Sequence, residues 1–225
     1  MTAKLRELAD EFRTVFGGRS SPLDSVAPPV VFLALNTLAG FEVAMGGSLL
    51  VALLIAGLRL RRRQSLAYAL GGVGGVLLAI LIAQWIGRAE GFFLPGIVSG
   101  GSTVLLAVGS VVLRRPLVAW TSHFTRRWPL AWYWHPQVRP AYDEVTLAWA
   151  AFFALRLLLQ LSLFQEQAAQ QLAVIHVITG WPATVALLVV SYLYGAWRLQ
   201  HLEGPSVEEF RAGDEPPWTG QQRGF

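Results

Sequence analysis

No cysteine occurs in the 225 residues. That excludes a disulfide framework, a thiol nucleophile and a thiolate metal site, and cysteine usage says nothing of redox compartment. Charge is scarce as well: Asp, Glu, Lys and Arg make up 14% of the chain, against ~25% in soluble domains. Lysine is almost missing, Lys4 being the single one among eighteen basic residues, a usage in keeping with a G+C-rich genome. No aspartate falls inside the long apolar runs, so no Ser–His–Asp arrangement can be built there. No Lys-Ser or Lys-Thr follows the glycines at 71–75, which argues against a phosphate-cradling loop.

What is there is apolar. Hydrophobic residues make up 54% of the chain and the mean hydropathy is +0.47. The chain reads as an integral membrane protein with length for about six spans. The sequence pI near 10.0 could suggest nucleic acid, but the basic residues sit in short blocks between apolar runs. That pattern records topology and suits anionic lipid headgroups, so no nucleic-acid partner is expected.

The clearest span follows Asp143 and Glu144: twenty residues to Phe164, apolar except for Thr146, Arg156, Gln160 and Ser162. Twenty helical residues cover ~30 Å, the thickness of the hydrocarbon core. Arg156 lies in its second half, and a charge there costs ~2.5–3.5 kcal/mol on insertion scales. Asp143 and Glu144 sit at the helix start, where acids complement the macrodipole.

In chain order, residues 2–16 place Leu5, Leu8, Phe12, Val15 and Phe16 on one helical face, predicting an amphipathic interfacial helix within 1–22. No apolar h-region with a cleavage site marks it as a signal peptide. The apolar run 26–58 is too long for one upright crossing. Gly40, Gly46 and Gly47 divide it into segments of about 26–40 and 42–60, the first short and either spanning or re-entrant. Further spans are expected at 65–86, 92–113, 144–164 and 171–197, the last interrupted by Gly180-Trp181-Pro182. Together they form a transmembrane bundle over 23–202. Residues 114–142 make an aromatic connector in which Trp120, Trp128, Trp132 and Trp134 are expected to anchor at the headgroups. The Pro/Gly-rich tail 203–225 reads as disordered.

Six crossings put sixteen of the eighteen basic residues on one side. They are Lys4, Arg6, Arg13 and Arg19; Arg59, Arg61, Arg62 and Arg63; Arg114, Arg115, Arg126, Arg127 and Arg139; and Arg198, Arg211 and Arg223. The positive-inside rule then places both termini in the cytoplasm of a bacterial cell, with the protein multi-pass in the inner membrane.

Three short landmarks carry a resemblance: Pro28-Pro-Val-Val-Phe-Leu-Ala34, Arg114-Arg115-Pro116-Leu117 and Leu147-Ala-Trp-Ala-Ala-Phe-Phe153. Together, and in segment order from about 28 to 202, they resemble the intracellular septation protein A family of bacterial inner-membrane proteins. Gly87-Arg-Ala-Glu-Gly-Phe-Phe-Leu-Pro-Gly96 followed by Arg-Arg-Pro-Leu resembles more closely an uncharacterised, mostly actinobacterial family defined by a domain of unknown function. The resemblance implies a role in cell division and envelope maintenance through membrane-protein contacts, in families with no established catalytic activity. The chain departs from the septation pattern at Phe92–Gly101, which lacks the lysines that family tends to carry.

Depth along the spans groups eight polar residues. Arg156 lies eight residues, ~12 Å, from the outer end near Phe164. Gln160 is one turn further on, and His176 lies ~8 Å below the same surface. Asn36, Glu42 and Gln84 fall near the outer helix ends, with Arg88 and Glu90 in the loop above. Two readings stand: an outward-facing pocket with Arg156 paired to Glu42 or Glu90, taking a small anion, a lipid headgroup or a proton; or a structural ion-pair network that fixes helix register. Gly71 with Gly75, and Gly96 with Gly100, have the spacing that lets helices approach closely. His123 and His135 are separated by twelve residues and helix breaks, so neither metal nor cofactor is expected.

The sequence therefore predicts an all-α, polytopic membrane bundle. Its expected function is non-enzymatic contact with other membrane proteins or further copies of itself, in a bilayer with anionic lipids. The alternative is a small transporter or channel using the pocket around Arg156, and a third reading is a lipid-binding or lipid-modifying protein.

Overall fold

The computed structural model describes residues 22–222 and 224–225, with backbone alone for residues 22–26, Tyr68 and Trp181. The amphipathic helix expected over 2–16 lies outside the described residues. All regular structure among the described residues is helical. The chain forms two compact units, one from the residues up to Pro95 with Leu163–Trp181, the other from Gly96–Ser162 with Pro182–Phe225.

The first unit contains α1 (Pro22–Ala39), α2 (Phe41–Arg61), α3 (Leu66–Ile86), a 3-10 turn (Ala89–Phe93) and, after a long excursion of the chain, α8 (Ala169–Ile178). Gly40, at φ 88, breaks α1 from α2, a conformation that costs glycine little. The core stacks Phe32 of α1 on Phe92 at 4.1 Å between ring centroids, with Phe93 edge-on to both. Alanines 44, 79, 83 and 173 fill the space around these rings. Along α2 and α3 the contact is made by Ala52, Ala56, Ala69 and Val73. The buried Arg59 reaches Gly72, where a Cβ would sit 3.3 Å from a guanidinium nitrogen.

The second unit contains α4 (Leu94–Val112, from Gly96 on), α5 (Leu117–Arg126), α6 (Leu130–Tyr133), α7 (Arg139–Gln165, to Ser162), α9 (Trp181–His201, from Pro182 on) and α10 (Val207–Ala212). Five stretches are long and apolar enough to cross a membrane: Phe41–Arg61, Ala69–Ile86, Ala89–Val112, Arg139–Gln165 and Ala169–His201. Ala27–Ala39 is a shorter apolar helix. Twenty-one residues, as in α2, cover ~31 Å. Large apolar side chains such as Leu54, Leu81, Leu105 and Leu158 stand exposed along these helices, as a hydrocarbon solvent requires. The sixth stretch breaks between Ile178 and Trp181, as its Gly-Trp-Pro predicts.

Helix ends are closed by the same device with different residues. After α2, Arg63 adopts the left-handed conformation (φ 56), its N–H donating to Leu60 O and the Gln64 N–H to Arg59 O. After α4, Arg114 (φ 57) donates to Val111 O at 2.9 Å and Arg115 to Ser110 O at 2.8 Å. α3 and α7 end instead at Gly87 (φ 73) and Gln167 (φ 57). A left-handed conformation costs an L-residue ~1–2 kcal/mol. Glycine would be the unstrained choice at both arginine caps.

Two expectations are corrected in the second unit. Residues 203–225 are not a disordered tail; they fold onto the connector. Ser206 and Glu209 cap α10 reciprocally, and Glu209 also accepts from the Thr219 N–H at 2.7 Å and the Thr219 hydroxyl at 2.6 Å. The Val207 N–H donates to Gln221 Oε1 at 3.3 Å, and the Phe225 ring stacks on Tyr142 at 4.4 Å. Gly195 of α9 leaves the room that this ring occupies, because a Cβ there would run into it. The second correction concerns the tryptophans. Trp132 is 0% exposed and donates its indole N–H to Pro205 O at 2.8 Å, inside a core with Tyr133, Val138, Tyr142 and Val207. Trp128 meets it edge-on at 5.2 Å, and Trp134 packs against the same core. Burying an indole yields more apolar contact than resting it at a headgroup, provided its N–H finds an acceptor. Of the four, Trp120 is not part of this core.

A Cβ at Gly71, Gly75 or Gly100 meets no atom within 4 Å among the described residues. Close approach falls one residue on, at Gly72 against Arg59 and at Gly101 against Leu157. Gly96 is half-buried in the first turn of α4.

Candidate functional site

The 3-10 turn of the first unit rests directly on the end of α3. Gly91 makes this possible, since a Cβ at that position would sit 2.7 Å from the Ala83 Cα. Beside it, Glu90 is 6% exposed, and among the described residues no group donates a hydrogen bond to its carboxylate. Arg88 places its guanidinium 5.3 Å from the centroid of the Phe164 ring, a cation–π contact. The His176 ring of α8 lies 5.6 Å from the Phe93 ring. Asn36 is half-buried one turn beyond Phe32 on α1. Since α1 packs on α8 and α8 on the turn, the first unit gathers the elements that carry Asn36, Arg88, Glu90 and His176. Glu42 and Gln84 are exposed, Glu42 in the first turn of α2, where it complements the helix dipole.

The other two predicted residues lie on α7 in the second unit. Gln160 is 1% exposed. Arg156, one turn before it, is half-buried with its Nε out of contact with water and without a hydrogen-bond partner. The salt bridges of this unit form at the other end of α7. Arg139 Nε donates to Asp143 at 3.2 Å, and Arg198 of α9 forks onto Glu144 at 2.9 Å. The Tyr194 hydroxyl adds a 2.7 Å hydrogen bond to the same carboxylate. Bidentate pairing of this kind is the stronger form of ion pair.

A hydroxyl cluster that spacing alone does not show sits in the core built from the connector and tail. Ser122 of α5 and Tyr133 of α6 lie 3.1 Å apart, oxygen to oxygen. Burial pushes the Tyr133 phenol up to about 12, against the opposing pull of the Ser122 hydrogen bond. Burial also lowers His135. The Tyr142 hydroxyl is buried without a hydrogen-bond partner. Arg126 Nε donates to Phe225 O at 3.0 Å while its guanidinium covers Trp128 at 4.8 Å. A neutral phenol pair and an engaged arginine hold structure; they supply no acid or base near neutral pH. The Ser206-x-x-Glu209 capping box was the one sequence signal that could have pointed to this body. Among the described residues no three of His, Asp and Glu come together as a metal-ligating group.

An all-helical chain with five spanning-length apolar stretches and a shorter sixth is a multi-pass membrane protein. The chain belongs to the family described as Protein of unknown function (DUF3159), which matches residues 16–200. No curated protein matches it, and no solved structure does.

Proposed function

We propose that the protein is a non-enzymatic component of a bacterial cell membrane, both termini cytoplasmic, that works through contacts with division or envelope proteins. The observation that carries this is the folded body of connector and tail. The chain spends α5, α6, α10 and the residues to Phe225 on a packed, hydrogen-bonded cap rather than on short loops. A cap at the arginine-rich ends of α4, α7 and α9 suits a docking surface on the cytoplasmic side. The resemblance of Arg114–Leu117 and Leu147–Phe153 to the septation family supports the same reading. The test is in-cell crosslinking from exposed cap positions. Adducts with division or envelope membrane proteins are the expected result; their absence from every cap position would end this reading.

A second reading, a small anion transporter or channel, is favoured by one observation: the buried Arg156 Nε has no partner. It requires flux in liposomes that Arg156→Ala abolishes.

A further inference from the structure

We propose that α5 and the turn before it form a binding site for anionic phospholipid headgroups. The inference stands apart from the contact role above and rests on three observations.

The first is the position of α5. Its amide groups are tied to the ends of spanning helices: the Leu117 N–H donates to Ser110 Oγ of α4 at 2.9 Å, and the Val118 N–H to Thr146 Oγ1 of α7 at 3.3 Å. The helix is therefore held at the membrane-facing edge of the cap.

The second is that α5 buries one face and exposes aromatic rings on the other, beside Thr121 and Thr125. Val118, Ala119 and Ser122 are buried in the cap. The opposite face carries Leu117, Trp120 and Phe124, with the Trp120 and Phe124 rings 6.2 Å apart and Phe124 71% exposed. The Thr121 and Thr125 hydroxyls on that side are turned back onto Val118 O and Thr121 O, which satisfies them within the helix. A continuous aromatic face next to spanning helices fits the acyl–headgroup boundary.

The third is charge. Between Glu90 and Asp143 the chain carries no acidic residue and five arginines. Two are turned to structure, Arg126 onto Phe225 O and Arg139 onto Asp143. The other three, Arg114, Arg115 and Arg127, are exposed and flank the aromatic face at its two ends. Arg114 and Arg127 sit in the left-handed conformation at φ 57 and φ 59, where glycine would be less strained. Arg115 is laid over the Trp134 ring at 4.5 Å, which fixes its guanidinium ahead of any ligand. Planar guanidinium groups bind phosphate oxygens in pairs, and each basic residue near an anionic surface contributes about a fivefold preference. Charge complementarity thus selects an anionic phospholipid as the occupant.

The test uses the full chain in vesicles of phosphatidylcholine doped with brominated phosphatidylglycerol or, in parallel, brominated phosphatidylcholine. Quenching of Trp120 is read as the difference from a Trp120→Phe variant. Brominated phosphatidylglycerol is expected to quench at least about fivefold more effectively, and high salt, which shortens the screening length to ~3 Å, should erase the preference in the wild-type chain. The Arg114→Gln/Arg115→Gln variant, melting as the wild type does, should lose most of that preference, the remainder resting on Arg127. Equal quenching by both lipids in the wild type, or a preference unchanged in the double variant and by salt, would overturn the proposal. So would a Trp120 that no brominated lipid reaches but acrylamide does, which would put water or a protein on this face.

Discussion

Two glutamates show how differently the cap and the turn of the first unit treat charge. Glu209, in the cap, accepts hydrogen bonds from the Ser206 N–H, the Thr219 N–H and the Thr219 hydroxyl, all within 2.7 Å. Glu90, in the turn of the first unit, is more deeply buried and accepts none from the described residues. The same contrast runs along α7, between Glu144, which Arg198 and Tyr194 answer, and Arg156, whose Nε nothing answers. Buried charges that hold a fold come paired and hydrogen-bonded, because an unpaired one costs more than it returns. The cap is accordingly a structural body, and Glu90 and Arg156 are charges the fold carries without using them for stability.

The largest break in this comparison should come from the cap core. Trp132→Ala removes a fully buried indole and its bond to Pro205 O, and is expected to cost ~3–5 kcal/mol, read as a lower melting temperature in detergent. Hydrogen exchange should show the loss over α6 and α10. The turn of the first unit breaks at Gly91: Gly91→Ala forces a Cβ against Ala83 and should cost ~1–3 kcal/mol by the same measurement. Glu90→Gln sharpens the contrast, because removing a charge that nothing answers should leave the melting temperature unchanged or raise it. A loss of several kcal/mol would show that Glu90 is a paired structural group, since breaking a buried pair costs ~3–5 kcal/mol.

The smallest effect concerns pH. Hydrogen bonds from the Thr219 hydroxyl, the Ser206 N–H and the Thr219 N–H hold Glu209 down to about 2, against an ordinary value of 4.5. Its folded pKa is depressed, so its contribution is complete above 4.5 and fades as pH falls through about 2. The protection of the Thr219 amide, taken against its intrinsic exchange rate at each pH, should therefore fall across that window, and Glu209→Gln should remove the pH step.

Much of this fold was legible beforehand, for reasons that also mark the limit. Apolar runs of spanning length, Gly40, and Gly180-Trp181-Pro182 carry their own local physics, and the helices fall where those signals put them. The cap did not show because composition weighs residues one by one. Gly213, Gly220 and Gly224, all at positive φ, read as flexibility when they serve turns. An indole looks the same in sequence whether it lies outside a protein core, as at Trp120, or inside one, as at Trp132. Residues grouped by depth alone proved to be divided between the units: six of the eight polar residues lie in the first, Arg156 and Gln160 in the second. Spacing along a chain gives depth in a membrane, and it does not give azimuth around each helix.

The central claim, that the cap is the working surface and the spans are lipid-facing support, is tested most directly by one paired measurement. A photoreactive residue is placed in living cells at Glu208, exposed on α10, and at Trp85, 88% exposed on α3. The account predicts discrete adducts with membrane proteins of the division or envelope machinery from position 208 and lipid adducts from position 85. Protein adducts from position 85, with none from 208, would contradict it.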